Sequence, residues 1–378
     1  MTSVQTRRVV RMDVMDESSP SMILDQSATL VLEDGTEFHG YAFGDVKPAA
    51  GETVFCTGMV GYPETLTDPS FAGQMITCTY PLVGNYGVPA ERMEHGMSAV
   101  FESDRIHAEA LIVADYSPRF SHWDAGRSLG SWLKEQGVLG VTGIDTRALT
   151  KRLREKGSML GVIEVGGRRP EFHDPNKENL IAKVSTREPM RYGEGTKRVA
   201  LIDCGTKFNI IRSMVGRGVE VLRVPWDYEL KDEQFDGLLI SNGPGDPSMA
   251  EASVQQIRNV MARGIPVFGV CMGHQLLALA IGARTYKLKY GHRGQNQPVV
   301  ECGTDRCFVT SQNHGFAVDA TTLPPDWRPW FSNLNDGTSE GIRHSYLPFR
   351  SVQFHPEACP GPVDTGFLFD EFVRMIGQ

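Results

Sequence analysis

The chain has 378 residues, 40% of them hydrophobic, and a formal net charge of −8. That length is sufficient for two domains with separate cores, and an acidic balance without a dense basic cluster excludes the electrostatic footprint of a nucleic-acid binder. No apolar run approaches the ~18 residues of a membrane span, and seven cysteines at irregular spacing suit a reducing cytoplasm better than a disulfide framework.

Residues 1–22 mix Arg7, Arg8 and Arg11 with Asp13, Asp16 and Glu17 and hold no continuous apolar stretch. They are expected to be a disordered tail rather than a secretory leader, with a transit peptide as the alternative. Residues 23–185 read as a β-rich, mixed α/β domain. It opens on a hairpin signal, Asp34-Gly35 between alternating apolar positions. Further strands are expected at Thr53–Thr57, Met75–Thr79, Ala110–Ala114 and Leu160–Val165, with helices at Ala125–Gln136 and Asp145–Glu155, the second capped by Asp145. Residues 186–197, with Pro189, Gly193 and Gly195 among charges, read as a linker.

From 198 to 378 strands and helices alternate. Strands are expected at Val199–Asp203, Val219–Val224, Gly237–Ser241 and Val267–Val270, with helix faces Ile210, Ile211, Met214, Val215 and Val254, Ile257, Val260, Met261 between them. Such alternation implies a doubly wound, flavodoxin-like parallel sheet, whose ligand sites lie beyond the carboxyl ends of its strands. Cys302 and Cys307 flank Gly303-Thr304-Asp305-Arg306, which reads as a hairpin turn; no fourth ligand is spaced for zinc, so no metal site is expected.

The stretch I-P-V-F-G-V-C-M-G-H-Q-L-L-A-L-A-I-G, residues 265–282, carries the chemistry. A buried strand gives way to a helix at Cys271, and Gly269 and Gly273 leave steric room for the sharp turn. On residue type alone Cys271 would be one more buried cysteine. The strand-Cys-helix context points instead to a nucleophile whose thiolate is favoured by the helix N-terminus. Such a thiolate needs a base, a group that orients the base, and donors for an oxyanion. His355 in S-V-Q-F-H-P-E is the first choice of base, because an extended backbone before Pro356 would set His355 and Glu357 on one side. His314, in what reads as a glycine-containing loop, is the rival, and His274 is expected to pack or cap. The Met272 N–H and an N–H of the loop Gly243-Pro244-Gly245 are the expected oxyanion donors.

G-V-C-M-G-H-Q resembles the nucleophile elbow of class I glutamine amidotransferases. G-Y-P-E-T-L-T-D-P-S-F-A-G-Q at 61–74 and T-Y-P-L-V-G-N-Y-G at 79–87 are similar to a segment of carbamoyl-phosphate synthetase small chains, as are 203–212, 289–299 and 311–318. What the resemblance implies is a triad of Cys271, His355 and Glu357 and a glutamine site of Ser70, Gly243, Gly245, Met272, Gln275, Asn313, Gly315 and Phe316. It implies a glutaminase that delivers ammonia to a large partner subunit, in the service of arginine and pyrimidine biosynthesis. No G-x-x-x-x-G-K-[ST] loop occurs, so ATP and Mg are expected on that partner and no cofactor on this chain. Two departures from the family pattern are Met272 for leucine and Arg293, Gln295 and Gln297 for histidine or glycine. The alternatives are the glutaminase of another amidotransferase and a non-catalytic regulatory protein on the same fold. The segment at 61–87 argues against the first, and the presence of both nucleophile and base against the second.

Overall fold

Short, largely apolar strands fold the first part of the chain into a closed barrel in the computed structural model, which describes residues 26–377. The expected tail at 1–22 and the first residues of the expected N-terminal domain, 23–25, lie outside the described residues. Ser27–Leu32 turns at Asp34-Gly35 into Glu37–Gly44, with Ala28 opposite Gly40, as the hairpin signal anticipated. Ala49–Cys56, Gln74–Cys78, Ala110–Ile112 and Leu139–Thr142 follow as parallel neighbours, and Met159–Val165 closes the barrel against both Ser27–Leu32 and Ala49–Cys56. Leu111 packs in one apolar cluster and its neighbours Ala110 and Ile112 in another. With both faces buried, these strands read as apolar runs rather than strict alternation.

The two helices differ in how well their ends were anticipated. Asp145 caps Thr146–Lys156 by accepting from the Ala148 N–H at 2.8 Å. The helix expected from Ala125 starts only at Leu129, because Ser128 caps it and Ala125–Arg127 pairs as a short strand with Val88–Pro89.

A ten-stranded sheet forms the second domain. At its centre five parallel strands run Val219–Pro225, Lys197–Asp203, Gly237–Ile240, Val267–Val270 and Phe349–Val352. Val199 and Leu201 point to the side of helices Phe208–Val215 and Phe367–Ile376, and Ala200 and Ile202 to that of Glu251–Ala262 and Met272–Ala280. This central part is the expected doubly wound arrangement.

Its flanks add antiparallel strands to the expected parallel sheet. Residues 289–299 lie within the long strand Arg284–Glu301, and His314, expected in a loop, lies within Cys307–Asp319. These two strands form an antiparallel hairpin, joined to the sheet through Ser339–His344 and extended by Trp327–Asn333. Glycines and polar residues hid the strand pattern, and register shifts between Lys287 and His292 and between Gly294 and Gln297 break its period. The expected linker contains Met190–Tyr192, which pairs antiparallel with Val219–Pro225 as an edge strand. Ile181, expected in the first domain, packs in the core of the second.

Candidate functional site

Strand Val267–Val270 is wholly buried, and helix Met272–Ala280 begins immediately after Cys271. Cys271 takes up the change of direction at φ 54°, ψ −101°, a conformation that costs a non-glycine residue about 1–3 kcal/mol. Two backbone bonds hold it there: Cys271 N–H to Val352 O and Gly273 N–H to Ser241 O, each 2.9 Å. The flanking glycines are steric requirements, since a Cβ on Gly273 would lie 2.3 Å from Ile240 O and one on Gly269 2.5 Å from Gly273 O. Gly273→Ala is therefore expected to cost about 1–3 kcal/mol by overpacking. Urea titration checks this, and unchanged stability would show that the elbow can shift at no cost.

Cys271 is 2% exposed, so the elbow is buried rather than superficial. Its Sγ lies 3.6 Å from Asn313 O and 3.7 Å from Gln353 Nε2. His355 is anchored by its N–H to Ser311 O at 2.9 Å, and its Nδ1 meets Glu357 Oε1 at 2.6 Å. The backbone reason differs from the one expected. The Ala358 N–H donates to His355 O, so a turn rather than extended chain brings the carboxylate round. Buried Nε2 has no hydrogen-bond acceptor and is the nitrogen left for the sulfur. Burial works against a charged imidazole, but Glu357 and Cys271 outweigh it and push the His355 pKa up to about 10. Burial likewise opposes the Glu357 carboxylate, and His355 and Lys207 hold it below its usual range.

Sequence reasoning did not identify Lys207 as part of this group. Its Nζ lies 3.3 Å from Glu357 Oε1 and 3.7 Å from Glu102 Oε2, and Glu102 also pairs with Arg212. This buried chain of charges ties the imidazole to the first domain, because Glu102 precedes the barrel strand Ala110–Ile112. Lys207 lies in the segment 203–212, D-C-G-T-K-F-N-I-I-R, which carries part of the family resemblance; nothing in the sequence marked Glu102, whose charged partners are more than a hundred residues away.

The eight residues expected around glutamine all line one cleft with Cys271, between the two domains. Ser70 comes from the first domain, and its Oγ accepts from Asn242 Nδ2 at 2.9 Å. Gly243 and Gly245 lie in the loop after Gly237–Ile240, and a Cβ on Gly243 would strike Cys204 O at 2.1 Å. Met272 and Gln275 belong to the helix after the elbow, where the first N–H groups lack intrahelical acceptors. Asn313, Gly315 and Phe316 come from the hairpin, and Gln275 Nε2 donates to Phe316 O at 2.9 Å and to Gln353 Oε1 at 3.1 Å. His355 does not line this cleft but a second recess, with Lys207, Ser311 and Pro360, that adjoins it at Asn313. The two other histidines are committed elsewhere. His274 Nδ1 meets Ser351 Oγ at 2.9 Å, and burial pushes its pKa down to about 3. His314 Nδ1 donates to Phe316 O at 2.8 Å, and burial holds it neutral.

The carbamoyl-phosphate synthase small chain model matches residues 30–163, and the class-I glutamine amidotransferase model matches 200–375. The arginine-specific carbamoyl phosphate synthase small chain of Aspergillus oryzae is 48% identical over 365 residues, covering 94% of this chain and 81% of that one. This chain belongs to the carbamoyl phosphate synthase small-chain family. Within the family's larger relatives it corresponds to a fraction of the length. It is 51% identical to the multifunctional protein CAD of Squalus acanthias over 92% of this chain but 16% of that protein. It is 49% identical to the mitochondrial carbamoyl-phosphate synthase [ammonia] of Homo sapiens over 93% of this chain and 24% of that protein. No helix among the described residues is long and apolar enough to cross a membrane.

Proposed function

We propose that this chain is the glutaminase subunit of a glutamine-dependent carbamoyl-phosphate synthetase. The observation that carries the proposal is the arrangement of Cys271 at the strained elbow, with His355 behind it and Glu357 2.6 Å from the imidazole. Family likeness alone would not suffice, since one relative at 49% identity is named for ammonia rather than glutamine. The Cys271 thiolate attacks the side-chain amide carbon of L-glutamine, and the oxyanion is received by the Met272 N–H and the Gly243–Gly245 loop. His355, as imidazolium, gives its proton to the departing ammonia. Water then attacks the γ-glutamyl thioester with His355 as base, and glutamate leaves. Glu357, itself held by Lys207, keeps the imidazole oriented with Nε2 toward the sulfur.

Ammonia release needs no ATP, whereas carbamoyl phosphate synthesis does, so ATP and Mg belong to a large partner subunit. The recess lined by His355, which adjoins the glutamine cleft at Asn313, supports a hand-off of ammonia through that side. Its Pro360 also borders an apolar cleft with Val60, Pro63 and Tyr86, and Met59 and Val60 are exposed at that surface. Seven free cysteines accord with a reducing cytoplasm.

The test is glutamate release by the isolated chain and carbamoyl phosphate formation from glutamine, bicarbonate and ATP by the reconstituted pair. Turnover stimulated by another amidotransferase's acceptor system and not by this one would overturn the assignment. Within the same assay Ser70→Ala is expected to raise the KM for glutamine about ten-fold, the loss of one hydrogen bond to a charged group. Ammonia-dependent synthesis should be unchanged. Asn242 Nδ2 keeps its contact with Asp68 Oδ1 at 3.3 Å, so the cleft wall survives the substitution. An unaltered KM would remove Ser70 from the site.

A further inference from the structure

His292 and His314 stand in direct register across the hairpin of Arg284–Glu301 and Cys307–Asp319. Gln312, two residues before His314, shares its face of the strand, and Glu340 reaches the same point from Ser339–His344. All four residues are buried, and Glu340 is 0% exposed. Their polar atoms crowd together. His292 Nδ1 lies 3.0 Å from Gln312 Oε1 and 3.4 Å from Glu340 Oε1, and His314 Nε2 lies 3.2 Å from Gln312 Oε1. The nearest atoms of the two histidines and Glu340 all fall within 4.8 Å of one another.

Hydrogen bonding alone does not account for that crowding. His314 gives its Nδ1 proton to Phe316 O at 2.8 Å, so the neutral ring turns a lone pair from Nε2 onto Gln312 Oε1. The Gln312 amide cannot flip to relieve the contact. Its Nε2 donates to Thr310 Oγ1 at 3.1 Å, and the proton of that hydroxyl goes to Gln297 O at 2.8 Å. Glu340 Oε1 is met by Asn333 Nδ2 at 3.0 Å, but buried Oε2 has no hydrogen-bond partner among the described residues. A proton on His292 Nδ1 would serve Gln312 and Glu340 Oε1 and leave both faults in place.

A divalent cation removes both, and its outer supports are already built. His292 Nε2 donates to Asp336 Oδ2 at 2.8 Å, which leaves Nδ1 to ligate, and Phe316 O orients His314 in the same way. Among the described residues Asp336 and Glu340 have no ion-pair partner but His292, so two carboxylates and two neutral rings match a charge of 2+. A tetrahedral zinc ion holds its ligands at about 2.0–2.1 Å and hence about 3.3 Å from one another, close to the separations here, and paired imidazoles with oxygen donors suit that ion.

We propose that His292 Nδ1, His314 Nε2, Gln312 Oε1 and the Glu340 carboxylate bind a structural zinc ion that fixes the hairpin wall of the glutamine cleft. The ligands come from three strands, so no spacing in the sequence marked them, and Cys302 and Cys307 take no part. With four protein ligands the ion does no chemistry on glutamine. It clamps the strand that carries Asn313, Gly315 and Phe316. This effect on glutamine rests on the glutaminase function; the site itself does not.

The test measures zinc in the full-length chain by elemental mass spectrometry after gel filtration, and again after removal by a chelator and reloading with Zn²⁺. About one zinc per chain is expected, with a higher Tm in the loaded form. Asp336→Asn, which leaves the four ligands in place, should weaken zinc binding about 10–100-fold, and Glu340→Gln should abolish it. Co²⁺ loaded instead should show the visible bands of a tetrahedral ion without a thiolate charge-transfer band. A chain that takes up no zinc overturns the proposal. So does zinc bound equally by both variants, or a thiolate band, since either means adventitious capture by the free cysteines. If Glu340→Gln fails to fold, the wild-type chain under chelation and Asp336→Asn still decide. Removing zinc should also raise the KM for L-glutamine several-fold with kcat retained, and an unchanged KM would overturn the clamping role. A zinc-loaded chain that hydrolyses no glutamine would overturn the glutaminase function and leave the metal site standing.

Discussion

Cys271→Ala is expected to abolish glutamine hydrolysis, a loss on the order of 10⁵-fold, while ammonia-dependent carbamoyl phosphate synthesis by the reconstituted pair continues. The loss is large because no other group on the cleft side of the elbow can form the thioester. The fold should persist. Alanine removes one sulfur atom from a buried position, and the groups that touched it keep their other bonds. Gln353 still accepts from Gln275 Nε2 at 3.1 Å, and the elbow's bonds to Val352 and Ser241 are made by backbone. Stability within about 1 kcal/mol of wild type, by urea titration, would separate lost chemistry from lost structure. Loss of the ammonia-dependent reaction as well would show that the elbow supports the partner's site, contrary to the proposed division of labour.

His355→Asn is expected to cost nearly as much as loss of the nucleophile, on the order of 10⁴-fold, and Glu357→Gln much less, about 10²-fold. The imidazole carries protons in both half-reactions, whereas the carboxylate orients it and favours its charged form. The pH profile distinguishes the two roles. The His355 pKa, about 10, lies above that of an unperturbed histidine. The stabilisation of the ion pair is therefore complete below the unfolded value of about 6.5 and lost as pH rises through about 10. Glu357→Gln removes the main raising influence, so the alkaline limb of kcat/KM should move toward neutral pH. A limb that stays in place would remove Glu357 from the proton path, and a greater loss in His314→Asn than in His355→Asn would transfer the base to the other histidine.

Legibility in the sequence followed how local the physics is. The elbow was readable because a buried strand, a nucleophile and a helix start are consecutive, and the steric need for Gly269 and Gly273 is met within a few residues. His355 and Glu357 were readable as a pair two positions apart, although a turn and not extended chain unites them. The hairpin of Arg284–Glu301 and Cys307–Asp319 was not, because Gly291, Gly294 and several polar side chains erase the alternation that marks a strand. Those polar residues line the cleft or pack against the first domain, as when the Thr57 N–H donates to Arg293 O at 3.1 Å. Lys207, Glu102 and Gln353 act through partners distant in sequence, so no local pattern could single them out. The resemblance named eight residues that periodicity could not, since what they share is the lining of one cleft between two domains.

The most direct measurement is acid quenching of the chain during turnover of L-glutamine, followed by mass spectrometry of the peptides that carry its seven cysteines. The account predicts a γ-glutamyl adduct on the peptide containing Cys271, absent from Cys271→Ala and accumulating in any variant that slows hydrolysis of the thioester. Glutamate formation that proceeds in Cys271→Ala, or an adduct on another cysteine, would contradict it.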